Sequence, residues 1–116
     1  MLQVTPKQKI FIAVQYIDFR KGIDGIVAIC HQKFQLDTLS GHVFIFRNRK
    51  ASALRILVYD EQGYWLCHKR LSCGRFKYWP TITQPVLTLT VAQLQVLLYN
   101  GDPKTVHTQA PWRNTS

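Results

Sequence analysis

Eight basic side chains stand between positions 47 and 77: Arg47, Arg49, Lys50, Arg55, Lys69, Arg70, Arg75 and Lys77, against two acids, Asp60 and Glu61. More than half of the chain's 15 Lys and Arg thus occupy about a quarter of its 116 residues. The chemistry these groups offer is anion recognition. Arginine can grip a phosphate with two parallel N–H bonds, and Asn48, set among the cations, can reach a phosphate or a base edge. Trp65, Phe76, Tyr78 and Trp79 are interleaved with the charges, a mixture that suits base stacking. Large apolar rings are mostly buried, however, and that assigns Trp65, Phe76 and Trp79 first to closing the core.

The whole chain shares this bias. Its net charge is +9 and its pI about 9.8, a field that favours polyanions, chiefly nucleic acid or an anionic membrane surface. No segment approaches the length of a membrane span, and the apolar run Ile10 to Val14 is too short for the core of a signal peptide. Three cysteines, Cys30, Cys67 and Cys73, form no paired framework, which suits a reducing cytoplasm.

Other chemistries find less to work with. Cys67, His68 and Cys73 match no usual zinc spacing, and a fourth ligand would have to come from Cys30, His31 or His42. Asp18, Asp24, Asp37, Asp60, Glu61 and Asp102 are scattered, several beside turns or caps where a carboxylate has local work on the backbone. No phosphate-binding glycine loop or activated serine signature is present. Cys30 and Cys67 lie in apolar patterns that suit buried, inert thiols. No metal, cofactor, small-molecule substrate or enzymatic activity is expected.

The elements that must hold the cations follow from periodicity. "KIFIAV", residues 9 to 14, reads as a buried strand. Phe19, Ile23, Ile26, Val27, Cys30 and Phe34 then fall on one face of a helix that Asp18 can cap. His42 to Arg47, Leu54 to Tyr59 and Tyr64 to Leu71 read as three consecutive strands, with "DEQG" supplying a tight turn and Gly63 its left-handed position. Tyr64, Leu66, His68 and Arg70 share one face of the last strand, and Trp65, Cys67, Lys69 and Leu71 the other. Neither face is wholly apolar, which puts this strand near an edge or beside a site. Thr90 and Gln93 have capping-box spacing ahead of a helix whose stripe is Leu94, Leu97 and Leu98, with Asn100 and Gly101 ending it.

The expected fold is α+β: a mostly antiparallel sheet in the order β-α-β-β-β-α, with two helices packed on one face. Residues 1–8 are expected as a flexible lead-in, 9–100 as a single domain and 101–116 as a mobile tail. In an antiparallel meander the ends of the second and fourth strands lie at the same end of the sheet. Arg47, Asn48, Arg49 and Lys50 should therefore converge with Lys69, Arg70, Arg75 and Lys77, and these eight are the candidate nucleic-acid contacts. Arg20, Lys21, Arg55 and Trp79 are secondary candidates.

"DFRKGIDGI", "SGHVFIFRNRK", "LRILVYDEQGYWLCHKRLSCGRFKYWP" and "LTVAQLQVLL" together resemble the small accessory protein encoded by the second reading frame of bacterial transposons of the insertion-sequence 66 type, over about residues 9 to 99. Asp18, Arg20, Lys21, Gly22, Asp24 and Gly25 match its first motif, and Phe46, Arg47, Asn48 and Arg49 its second. Tyr59, Asp60, Gly63, Lys69, Arg70, Leu71, Gly74, Arg75, Phe76, Trp79 and Pro80 match the third. "AVQYI" replaces the usual Gly or Pro turn before the first motif, and Tyr78 is an extra residue before Trp79 and Pro80. The resemblance implies a role beside a separate, larger transposase that carries the strand-transfer chemistry. Combined with the basic surface, it predicts an accessory factor that binds DNA. The alternative is an adaptor that docks the transposase and never touches DNA.

Overall fold

The computed structural model describes residues 7–106, so most of the expected lead-in and tail lies outside the described residues. The described residues form one five-stranded sheet and two α-helices, an α+β domain. In chain order these are β1 (Ile10–Ala13), α1 (Ile23–Gln32), β2 (Val43–Arg47), β3 (Ala53–Tyr59), β4 (Tyr64–Arg70), β5 (Val86–Leu89) and α2 (Val91–Leu98). Short 3-10 turns at Thr38–Ser40 and Pro103–Thr105 complete it.

The sheet order is β4-β3-β2-β1-β5. β2, β3 and β4 form the expected antiparallel meander, with Ile45 opposite Ile56 and Ile56 opposite Cys67. β1 lies parallel to β2, joined to it through α1, and pairs antiparallel with β5 on its other side. β5 is a correction to the expected order: "VLTL" is a fifth strand rather than the approach to a helix. It is short, half-exposed and uses both faces, Val86 packing toward one core and Leu87 and Leu89 toward the other, so it carries no clean alternation.

The placement of the helices is also corrected. Ile10, Ile12, Val43, Ile45, Leu54 and Ile56 pack with Leu94 and Leu97 of α2, whereas Ala13, Phe44, Phe46 and Leu57 pack with Ile26 and Cys30 of α1. The helices therefore cover opposite faces. Central strands buried on both sides need apolar residues at every position, and β2 shows this, with Val43 to Phe46 all buried. β4, at the free edge, has no buried residue: Trp65, His68 and Arg70 are exposed and the others half-buried, as its mixed composition predicts.

Local geometry refines the boundaries. The N-cap of α1 is Gly22, which has no side chain to cap it. Asp18 does not cap the helix; its carboxylate instead accepts from the Arg20 backbone and guanidinium, with an ion pair of 2.9 Å. α2 has the expected capping box: the Gln93 N–H donates to the Thr90 hydroxyl at 3.1 Å and the Thr90 N–H to the Gln93 side chain at 2.9 Å. In the β3–β4 turn, Glu61 rather than Gly63 takes the left-handed backbone, with φ 78°. Asp60 stabilises that turn by accepting from the Gln62 and Gly63 N–H groups, and these bonds, with one from the Trp65 indole, hold its carboxyl below the usual range. After α2, Asn100 turns left-handed at φ 62° and Gly101 passes so close to Val96 that a Cβ there would lie 2.7 Å from its methyl carbon.

Candidate nucleic-acid interface

Two loops at one end of the sheet carry the cations. The first, 48–52, joins β2 to β3 and is organised by Asn48. Its side-chain oxygen accepts from the Ser52 and Ala53 N–H groups at 2.9 and 3.2 Å, and its amide nitrogen donates to the Ser52 hydroxyl at 3.0 Å. The side chain expected to read a phosphate or base is thus engaged within the loop. Asn48→Ala would leave two partly buried N–H groups unpaired and lower stability by about 1–3 kcal/mol, measurable as a fall in the denaturant midpoint at constant m-value. Asn48→Asp, which keeps the acceptor, should recover most of that loss.

The second loop follows β4. The Leu71 N–H donates to the Ser52 carbonyl at 2.9 Å and the Phe76 N–H to the Ala51 carbonyl at 2.7 Å, so the two loops are laid side by side. Asn100 secures it from beneath, its amide nitrogen donating to the Arg75 carbonyl at 2.9 Å and its oxygen accepting from the Lys77 N–H at 3.0 Å. The sequence marks Asn100 only as a helix terminator; its clamp on a segment 23–25 residues earlier has no local signal. Phe76 and Trp79 are buried in the α2-side core, and the Trp79 indole donates to the Ala13 carbonyl at 2.8 Å.

With the loops so held, Arg47, Arg49, Lys50, Arg75 and Lys77 line one concavity of about 390 Å³, and among the described residues no carboxylate lines it. Arg47 is half-buried. One of its terminal nitrogens donates to the Asn48 and Arg49 carbonyls at 3.3 and 3.2 Å, while its buried Nε has no partner. Burial pulls the Arg47 pKa downward, the signature of a guanidinium partly stripped of water. The single ion pair among the described residues is that of Arg20 with Asp18, so Arg47 has no carboxylate to compensate it.

The remaining candidates divide. Lys69 faces α2, where its ammonium donates to the Leu98 carbonyl and lies 5.2 Å from the centre of the Tyr99 ring. Arg70 is on the α1 face with His68. Arg55 is there too, donating from Nε to His68 Nδ1 at 3.0 Å and from its other end to the Lys21 carbonyl at 3.4 Å, 4.5 Å from the Phe19 ring centre. Partial burial, followed by the charges of Arg55 and Arg70, lowers the His68 pKa. Arg20 borders a second concavity beside Arg49 and Lys50, whereas Trp79, at 8% exposure, offers no open ring. Trp65, expected in the core, is half-exposed, and its indole donates to Asp60 at 2.8 Å.

Tyr16 stands outside the basic segment that the sequence marks. Its ring is 42% exposed and lies 5.8 Å from the Arg47 guanidinium carbon and 5.9 Å from that of Arg49. Those arginines stand about 30 residues downstream, so no local signal in the sequence marks the ring. Among the described residues, no group of three or more His, Cys, Asp and Glu lies where it could hold a metal ion, and no helix is long and apolar enough to cross a membrane.

Residues 8–108 match the family described as IS66 Orf2 like protein. The "Uncharacterized protein y4hO" of Sinorhizobium fredii is 34% identical over 115 residues, covering 99% of this chain and 97% of that protein. The "Uncharacterized protein y4jC" of the same organism is 30% identical over 94 residues, 81% of this chain and 80% of its own. No solved structure matches the chain.

Proposed function

The chain belongs to the IS66 Orf2-like family of transposon accessory proteins, and from that membership we propose that it assists a separate transposase by binding DNA through the paired basic loops. One observation carries the reading: five cations, from the end of β2 and from two loops far apart in sequence, surround one concavity that no carboxylate of the described residues lines. Isolated surface cations need only keep a protein soluble. Cations brought together at a mutual electrostatic cost, one of them partly desolvated and unpaired, favour a polyanion that offsets both penalties.

Affinity should then fall steeply with salt. Each neutralised phosphate contributes about 0.9 to the slope of log affinity against log salt on duplex DNA, so five contacts give a slope of about −4 to −5. Fluorescence anisotropy with a labelled 20-mer across a salt series measures it. Absence of binding to both duplex and single strands, together with a transposase pull-down that survives nuclease treatment, would replace this reading with that of a protein adaptor.

A further inference from the structure

We propose that the basic site is built for single-stranded DNA, with an unpaired base stacked on Tyr16 while Arg47, Arg49 and the cations of the second loop follow the backbone on either side. This rests on the DNA-binding reading above and specifies the form of DNA.

Three concavities share lining residues, and Tyr16 borders two of them. The one of about 390 Å³ holds the five cations; another, of about 590 Å³, shares Arg49 and Lys50 with it and is bordered by Tyr16 and Arg20; the third, of about 690 Å³, is bordered by Tyr16, Arg47 and Lys33. The five-cation concavity thus adjoins both others through shared arginines, Arg49 on one side and Arg47 on the other, and the exposed Tyr16 ring borders the two spaces beside it. Spaces of a few hundred Å³ accept a nucleotide, whereas a duplex is a broad convex rod that is read by an element entering its groove. No helix of the described chain can enter a groove as a basic rod: α1 carries His31 alone, and α2 carries no basic residue. Cations on loops around an exposed aromatic are the combination that binds single strands, the cations taking phosphates and the ring taking a base face. The carboxylate bordering those two spaces, Asp18, is already held by Arg20, and the guanidinium beside it holds its pKa at about 2.

The test compares a mixed-sequence 20-mer, its duplex, and an abasic strand of equal length, each against the wild type and Tyr16→Ala and Tyr16→Phe variants. Single strand should bind more tightly than duplex at equal salt. Tyr16→Ala should weaken single-strand binding about 5- to 150-fold, the cost of losing one stacked base, with Tyr16→Phe near wild type. Neither variant should change affinity for the abasic strand, which offers phosphates without bases. Thermal melting confirms that each variant is folded. Equal affinities for duplex and single strand, or a Tyr16→Ala loss of the same size on the abasic strand, would overturn the proposal and leave DNA binding intact. A ribo-oligomer of the same sequence that binds more tightly than the DNA strand would also overturn it, transferring the site to RNA. Failure to bind any nucleic acid would remove the broader reading as well.

Discussion

Replacing Trp79 with alanine should lower the stability of this domain by about 3–5 kcal/mol, the range for emptying a large aromatic site in a packed core. Trp79 is 8% exposed and packs against Phe76 at a ring-centre distance of 6.3 Å, within the cluster that joins β1, β2 and β3 to α2. Truncation also removes the indole hydrogen bond to the Ala13 carbonyl of β1. Domains of this size are stable by only about 5–15 kcal/mol, so the loss is a large share of the total. It should appear as a fall in the denaturant midpoint at constant m-value. Trp79→Phe, which keeps most of the ring and loses the N–H, should cost about 1–3 kcal/mol and leave DNA affinity unchanged. A stable Trp79→Ala would contradict the packing. A folded Trp79→Phe with weakened DNA binding would restore Trp79 to the contact surface, where the sequence made it a secondary candidate.

Trp79 shows what can be read from residues in order and what cannot. The β2-β3-β4 meander was legible because tight turns and apolar runs are local, and the α2 capping box because its two partners are three residues apart. The opposite placement of the helices was legible in principle. "VFIF" and "IFIA" have no polar alternation, and a strand without alternation needs cover on both faces. β5 was not legible, since four residues, three half-exposed and one exposed, have too little pattern to separate them from the capping sequence that follows.

The site divides in the same way. Sheet geometry brings the ends of β2 and β4 together, and the loops that continue from them do meet at Arg47, Arg49, Lys50, Arg75 and Lys77. Lys69 and Arg70 lie within the strand itself, where alternation sends them to opposite faces, so nearness to the end of β4 does not bring them into the concavity. The tasks of Asn48 and Asn100 depend on backbone groups that only the folded loops supply. Tyr16 gains its meaning from two arginines about 30 residues downstream.

That division sets the largest expected effect on function. The triple variant Arg47→Met, Arg49→Ala, Lys50→Ala removes three of the five cations in the concavity. Hydrogen bonds to charged groups contribute about 1.5–3 kcal/mol each, so affinity should fall on the order of a thousandfold or more. The salt slope should drop by about 2–3, as three phosphate contacts disappear. Folding should survive. Arg49 and Lys50 are exposed, and methionine retains the packed stem of Arg47 while removing a buried Nε that has no partner. The control is Lys69→Ala with Arg70→Ala, which deletes two charges but none from the concavity. Lys69 is committed to the C-terminus of α2, and at physiological salt a charge more than about 8 Å from a phosphate is largely screened. The double variant should therefore lose about 1 kcal/mol of stability with the Leu98 bond, and less than about tenfold in affinity. If the two variants weakened binding equally, net charge would be the cause and the concavity would have no special role. A much larger loss in the triple variant identifies geometry as the cause, because the residues differ less in charge than in where the fold directs them.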